Sequence, residues 1–251
     1  MHFSIITPTR NRRQYLPEAI ESVRATVSAP IDFSYEHLIN ELASDDDTAS
    51  YLEELAAQDG PPLRYWKQPE KMLPGPARNQ IIREAQPGGW LVPLDDDDVM
   101  LQRNLYHYAD LIQQNPDRPW LVADFLRMDE ERRYMLREDY YAWKFDTPTD
   151  MLRAIFRAEN FIQGNVCYSH ELFDRVGGYS EDIEMAEDLE LYVRFLLAGH
   201  LPLLSPHISH LHRFHTNNIS IGVDAEKHGN DLRVIYDLHA QELGKLGIER
   251  P

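Results

Sequence analysis

Between residues 3 and 112 the chain switches repeatedly between short apolar runs and helix-period apolar spacing, a pattern that few architectures accept. Phe3-Ser4-Ile5-Ile6 has the character of a buried strand. Leu16, Ile20, Val23 and Val27 follow at steps of four, three and four, one face of a helix with Pro17 in its first turn. His37-Leu38-Ile39 and Leu63-Arg64-Tyr65-Trp66 read as two further strands, and between them Asp46 or Asp47 caps a helix carrying Tyr51, Leu52 and Leu55. A helix over 77–85 is entered through Pro74-Gly75-Pro76. Trp90-Leu91-Val92-Pro93-Leu94 is a fourth strand, cut off by Asp95-Asp96-Asp97-Asp98, and Leu101, Leu105, Tyr108 and Ile112 mark another helix. Such alternation predicts an α/β fold, Rossmann-like, with a mainly parallel central sheet and helices on both faces. Ligands of such sheets sit at the carboxyl ends of strands, where the four aspartates lie.

The second half is less regular. Residues 120–126 and 161–168 read as strands, and 187–198 as a helix stopped by Gly199. An amphipathic helix over 231–246 closes the chain, while 127–146 is charged, aromatic and unassigned. No internal repeat, low-complexity tract or linker divides the 251 residues, so one domain is expected.

Charge and composition narrow the function classes. A formal net charge of −17 argues against a nucleic-acid binder, which needs a basic footprint, and against electrostatic attachment to anionic lipid. No apolar run approaches the roughly 20 residues that span a bilayer, and the chain opens directly into a strand, so a cytoplasmic protein is expected. The single cysteine, Cys167, allows no intrachain disulfide and reads as a small buried apolar residue. An acidic chain that handles phosphates needs local compensation, from a bound cation or from placed arginines.

Asp95-Asp96-Asp97-Asp98 is the strongest local signal. Four adjacent carboxylates repel one another unless they are neutralised. Mg²⁺ or Mn²⁺, held by one or two carboxylates together with substrate phosphates, would neutralise them; an acidic surface turn is the alternative.

Ser4-Ile5-Ile6-Thr7-Pro8-Thr9-Arg10-Asn11, ahead of this loop, is similar to the opening strand and turn of one family, the inverting family 2 glycosyltransferases of the GT-A fold. Gly75-Pro76-Ala77-Arg78-Asn79, with Ala85, Gly89 and the strand running into Asp95–Asp98, resembles the segment leading to its aspartate-x-aspartate signature. Phe173-Asp174-Arg175-Val176-Gly177-Gly178-Tyr179 resembles its glycine-glycine-aromatic turn, and Ala186-Glu187-Asp188-Leu189 the segment carrying its base. The pieces fall in the family's order from residue 3 to about 220.

That resemblance implies a metal-assisted, inverting transfer of a sugar from a nucleotide diphosphate donor, a UDP-sugar by preference, to an acceptor hydroxyl. It implies that Pro8 and Thr9 line a nucleobase pocket, that Arg78 approaches the nucleotide, and that Asp95 and Asp96 contact ribose or the metal's water. Asp97 would hold Mn²⁺ or Mg²⁺, with His215 as a second ligand and Arg213 on the phosphates, and Asp188 would be the general base. Residues 1–100 would bind the nucleotide sugar, 101–222 the acceptor, and 223–251 would form the terminal helix. Each residue has a plainer reading beside this one: a surface salt bridge for Arg78, a helix-dipole carboxylate for Asp188, an ordinary strand histidine for His215. One departure is clear. Where the family ends its second strand in paired aspartates, this chain has Glu41-Leu42, so Glu41 either reads the base or is simply solvated.

Strand alternation puts His210 and His212 on one face and Leu211 on the other, and the histidines show no closed zinc set. A nucleotidyltransferase would want a glycine-rich basic loop after the first strand, and Thr7-Pro8-Thr9-Arg10-Asn11 has no glycine. A non-catalytic nucleotide-sugar binder would not need both Asp97 and Asp188. The acceptor is unassigned: Tyr140, Tyr141 and Trp143 either stack on a sugar or pack in the core, and a lipid-linked acceptor would require peripheral membrane docking.

Overall fold

The opening apolar run forms β1 (His2–Thr9), in which Phe3, Ile5 and Ile6 are fully buried. Alternation along the strand sends Phe3 and Ile5 into one layer and Ile6 into the opposite one. On the first face lies α1 (Leu16–Arg24), whose Val23 packs with Phe3 and Ile5. Leu16 and Ile20 pack with Ile39 of β2 (Ser34–Leu42) and with Leu52 and Leu55 of α2 (Thr48–Ala56). Each such side chain, fully buried, stabilises the fold by about 1.5–3 kcal/mol. Asp47 occupies the cap position of α2 without a side-chain bond; Asp46 accepts the Thr48 amide instead, at 2.9 Å. After β3 (Leu63–Gln68), α3 (Pro74–Ile82) covers the second face through Ile81 and Ile82. It begins at Pro74, ahead of the expected start, because the first helical turn needs no proline N–H. β4 (Trp90–Pro93) completes a parallel set in the order β3-β2-β1-β4.

The computed structural model of the protein describes residues 1–57, 63–135, 145–160, 162, 164–215 and 225–251, and Tyr140, Tyr141, Trp143 and Thr216-Asn217-Asn218-Ile219-Ser220 lie outside them. Beyond β4 come β5 (Val99–Met100), α4 (Asn104–Gln114), β6 (Trp120–Met128), α5 (Pro148–Phe156) and β7 (Val166–Ser169). They are followed by α6 (His170–Val176), α7 (Glu187–Leu197), β8 (Leu203–Arg213), α8 (Ala225–Leu238) and α9 (Ala240–Lys245). All eight described strands join one sheet, β3-β2-β1-β4-β7-β6-β8-β5. β7 runs antiparallel to both β4 and β6, and β5 antiparallel to β8, while β6 and β8 are parallel. The sheet is therefore mixed: the parallel arrangement holds for the first half, and antiparallel strands enter in the second. A short apolar run carries no information on direction, which the partner strands decide. Helices do lie on both faces, with α1 and α4 in the layer of Phe3 and Ile5, and α3, α5 and α7 in the layer of Ile6.

Two further expectations change. Among the described residues around the run at 161–168, the strand is Val166–Ser169. The terminal helix is two, broken at His239, whose ring bonds to Glu190 of α7 at 2.8 Å. Others hold. Gly199 adopts φ 87° after α7 and donates to Leu196 at 3.0 Å, and Cys167 is fully buried. Among the described residues no helix is long and apolar enough to cross a membrane.

Gly75 sits where α3 meets the segment leading into α7: a Cβ there would lie 2.7 Å from the Ser180 carbonyl oxygen. Backbone cannot step aside as a side-chain tip can. Gly75→Ala is expected to destabilise the protein by about 1–3 kcal/mol, read as a lower denaturant midpoint with unchanged slope. An unchanged midpoint would show that this contact does not constrain the fold.

Candidate active site

β1 and β4 run side by side and parallel, Phe3 opposite Trp90 and Ile6 opposite Pro93. Their carboxyl ends therefore bring Pro8-Thr9 and the four aspartates to one edge of the sheet. β2 adds Glu41, in register with Thr9. The turns after β1 and β2 are bonded to one another: the Asn11 amide donates to Ser44 Oγ at 2.9 Å and the Asp45 amide to Asn11 Oδ1 at 2.7 Å. Glu41 is fully buried, which excludes the solvated reading. Its Oε1 accepts the Ser44 amide at 2.6 Å, and Oε2 has no hydrogen-bond partner among the described residues.

The four aspartates diverge, and the surface-turn reading fails because Asp96, Asp97 and Asp98 are only 9%, 7% and 2% exposed. Asp95 alone is open, with 46% of its side chain exposed. Asp96 and Asp97 share the guanidinium of Arg12, whose Nε lies 3.2 Å from Asp96 Oδ1 and 3.6 Å from Asp97 Oδ2. Burial, followed by the neighbouring Asp97 charge, pushes the Asp96 carboxyl well above its usual range. Burial also opposes ionisation of Asp97, but the His215 hydrogen bond and the Arg12 charge outweigh it and hold that carboxyl below its usual range. Asp98 turns away to β8, where Oδ1 accepts the Arg213 amide at 2.9 Å and Oδ2 lies 3.2 Å from His212 Nδ1. Burial raises it to about 6.

His215, just past β8, is buried and stacks on Tyr15 at 4.6 Å between ring centroids. Its Nε2 is hydrogen-bonded to Asp97 Oδ2 at 2.9 Å. Two ligands about 2.1 Å from an octahedral ion and at right angles to each other stand about 3 Å apart, so this pair fits one side of a Mn²⁺ or Mg²⁺ coordination shell. Arg213 is not free to meet a phosphate. It is 2% exposed, with Nη2 on Glu18 Oε2 at 2.6 Å and Nε on the Asp97 carbonyl at 2.8 Å. It clamps the acidic loop instead.

Arg78 is the bridge across the site. From α3 its buried guanidinium donates to Asp95 Oδ1 at 2.8 Å through Nη2, and through Nη1 to Glu187 at the start of α7. Burial opposes its charge, and Glu187 and Asp95 outweigh that and keep it cationic. A surface salt bridge it is not. Asp188 follows Glu187, close enough to Asp95 for the two charges to repel. The residue is half-buried. Burial, then the Glu187 charge, raise it to about 7, against the pull of Arg78. Ala186, immediately before this pair, holds φ 59°, a left-handed conformation that costs a non-glycine residue about 1–3 kcal/mol.

Every nominated residue except Pro8 is thus linked to a neighbour by side-chain contacts or charge, Glu41 through the Ser44 amide and Thr9 through Asp96. Sequence reasoning missed Arg12, Tyr15 and Glu18, which lie in and after the first turn, and the structural part played by Asp98. The signal for Arg12 was a basic residue just past the first strand of a strongly acidic chain.

Asp188 titrates near 7 in the fold and near 3.8 when free, so folding favours its protonated form. That contribution is fully present below about pH 4 and is lost as pH rises through about 7. Asp188→Asn should therefore be more stable than the parent at about pH 8, on the order of 2 kcal/mol after solvent screening, with the gap closing near pH 4. Paired urea titrations check this; a less stable variant at pH 8 would show that the fold favours the ionised carboxylate.

The sequence profile described as glycosyl transferase family 2 matches residues 4–177, a span that ends before α7 and His215. No curated protein matches the chain. Among solved structures, S. aureus TarS 1–349 in complex with UDP-GlcNAc superposes with a TM-score of 0.73 and 19% identity, over 100% of this chain and 68% of that one. A longer S. aureus TarS structure gives 0.67 and 18%, over 94% of this chain and 39% of that one. Mannosyltransferase PcManGT from Pyrobaculum calidifontis, in complex with GDP-Man and Mn²⁺, gives 0.61 and 16%, over 98% and 64%. At such identities the likeness is one of fold, and it agrees with the GT-A-like α/β architecture expected. With well over half of its residues matched by the profile, the chain belongs to glycosyl transferase family 2.

Proposed function

We propose that the chain transfers a sugar from a nucleoside diphosphate donor, preferably a UDP-sugar, to an acceptor hydroxyl with inversion, and that Asp188 is the general base. The observation that carries this reading is the Arg78 bridge, which ties the open Asp95 of the acidic loop to Glu187 beside Asp188. One carboxylate cluster for the leaving diphosphate and one poised aspartate then serve a single cleft. The crystallised complexes of similar folds with UDP-GlcNAc, and with GDP-Man and Mn²⁺, support the donor class and the cation.

In this reading residues 1–100 hold the nucleotide sugar and 101–222 serve the acceptor. Pro8 and Thr9 flank the base, and Glu41 Oε2, without a hydrogen-bond partner among the described residues, accepts its N–H. Uracil presents such a donor. Because Glu41 has no exposed surface, the bonded turns after β1 and β2 must part for the base to reach it. Asp95 and Asp96 meet the ribose or the cation's water. Asp97 and His215 would hold Mn²⁺ or Mg²⁺, which when bound supplies positive charge to the departing diphosphate.

Arg78 holds the loop and α7 in fixed relation, so Asp188 keeps its place as charge moves. Asp188 takes the acceptor proton as the hydroxyl attacks the anomeric carbon from the side opposite the diphosphate. A single displacement of that kind inverts the carbon. A carboxyl titrating near 7 is well matched to the task, since its basicity lies close to the working pH while much of it is already ionised.

Transfer from UDP-GlcNAc and other nucleotide sugars with Mn²⁺ should fall about 10²–10⁴-fold in Asp188→Asn while the nucleotide-induced thermal shift persists. In the parent, kcat/KM should rise with pH and level off above about 7 as Asp188 ionises. Transfer that survives the substitution would remove Asp188 from the mechanism. A chain that shifts with no nucleotide sugar, with or without Mn²⁺, would remove the donor class.

A further inference from the structure

A second group of ligating side chains lies where the end of the acidic loop meets β8. Asp98, His210 and His212 converge there, one ligand atom from each lying within 4.8 Å of the others, and all three residues are buried. Asp98 Oδ2 lies 3.2 Å from His212 Nδ1 and 3.5 Å from His210 Nε2. Ligands about 2.0–2.1 Å from a tetrahedral ion stand about 3.3 Å apart, so both of these edges already match.

Hydrogen bonding accommodates a metal-binding tautomer of His210. Ser209 Oγ lies 3.0 Å from the Asp124 carbonyl and 2.8 Å from His210 Nδ1. With the hydroxyl proton on the Asp124 carbonyl, the serine oxygen accepts from His210 Nδ1, and in that form Nε2 of the neutral ring presents a lone pair. That Nε2 is buried, has no hydrogen-bond partner among the described residues and points at the Asp98 carboxylate. In that form two acceptors face each other in a buried space, an arrangement that a positive centre between them relieves. A histidine whose far nitrogen is oriented by a protein acceptor is also the usual form of a metal ligand.

We propose that Asp98, His210 and His212 form a second metal site for a divalent transition ion of the Zn²⁺ class. Two imidazoles and one carboxylate suit Zn²⁺ better than Mg²⁺, which prefers oxygen. Water takes the fourth position. β5 pairs with β8 here, Met100 opposite His210, so the ion pins the end of the acidic loop to β8 and steadies Asp97 for its own task. No closed histidine set was legible in the sequence because the third ligand lies more than a hundred residues away, inside the run of aspartates.

The test uses the full chain without an affinity tag, stripped by a chelator and re-equilibrated with Zn²⁺. One tightly held equivalent per chain is expected by elemental analysis, and X-ray absorption should find two imidazole nitrogens in its first shell. His210→Gln and Asp98→Asn should each lose that equivalent, whereas His215→Gln should keep it. The proposal is overturned if the parent takes up no stoichiometric Zn²⁺, if the shell holds one imidazole or none, or if His215→Gln loses the ion while His210→Gln retains it. Should a substituted chain fail to fold, the imidazole count in the parent decides.

Discussion

Too many carboxylates meet at the carboxyl ends of β1 and β4, and guanidinium groups buried among them are what allow the site to exist. Arg12 lies against Asp96 and Asp97, Arg78 joins Asp95 to Glu187, and Arg213 binds Glu18 while holding the Asp97 carbonyl. Each is a buried or half-buried cation with more than one acceptor. Breaking one buried partnership of this type costs about 3–5 kcal/mol, because it strands a charge rather than merely losing a bond. A formal charge of −17 makes the arrangement more demanding still, since the background field works against every ionised acid.

From that constraint the properties of the individual acids follow. The four adjacent aspartates share a loop but not an environment. Asp95 faces solvent and Arg78, Asp97 is kept ionised by His215 and Arg12, Asp96 bears the repulsion of Asp97, and Asp98 is a strut for β8. Asp188 experiences two opposed influences, burial beside Glu187 raising it and Arg78 lowering it, and comes to rest near 7. The left-handed Ala186 just before it is local strain held in place by the packing of α7, which buries Leu189, Leu191, Tyr192 and Val193.

How much of this could be read from the chain depended on the range of the interaction. Short apolar runs, helix-period spacing and turn residues exposed β1, α1, β2, α2, β3, α3 and β4, because each signal is local and each face meets a core. The direction of β7 and the break between α8 and α9 were hidden for the same reason: β7 takes its direction from β4 and β6, and the break at His239 comes with a bond to Glu190 on another helix. Among site residues, the aspartate run was conspicuous in itself, whereas Arg12 gained meaning only once the turn after β1 folded against β4. Arg213, which looked available for phosphate in the linear chain, is consumed by Glu18.

The sequence by itself determined the alternating α/β plan, the point where the apolar strand gives way to aspartates, and the family to which the chain belongs, because these rest on neighbours a few residues apart. Only the tertiary structure decided which carboxylate meets which cation. Electrostatic pairing acts through space, so Arg78 finds Glu187 across more than a hundred residues, and Asp98 finds His212 across as many. No local pattern encodes a meeting of that kind, and it takes the packed sheet and its helices to bring the partners within a few ångströms.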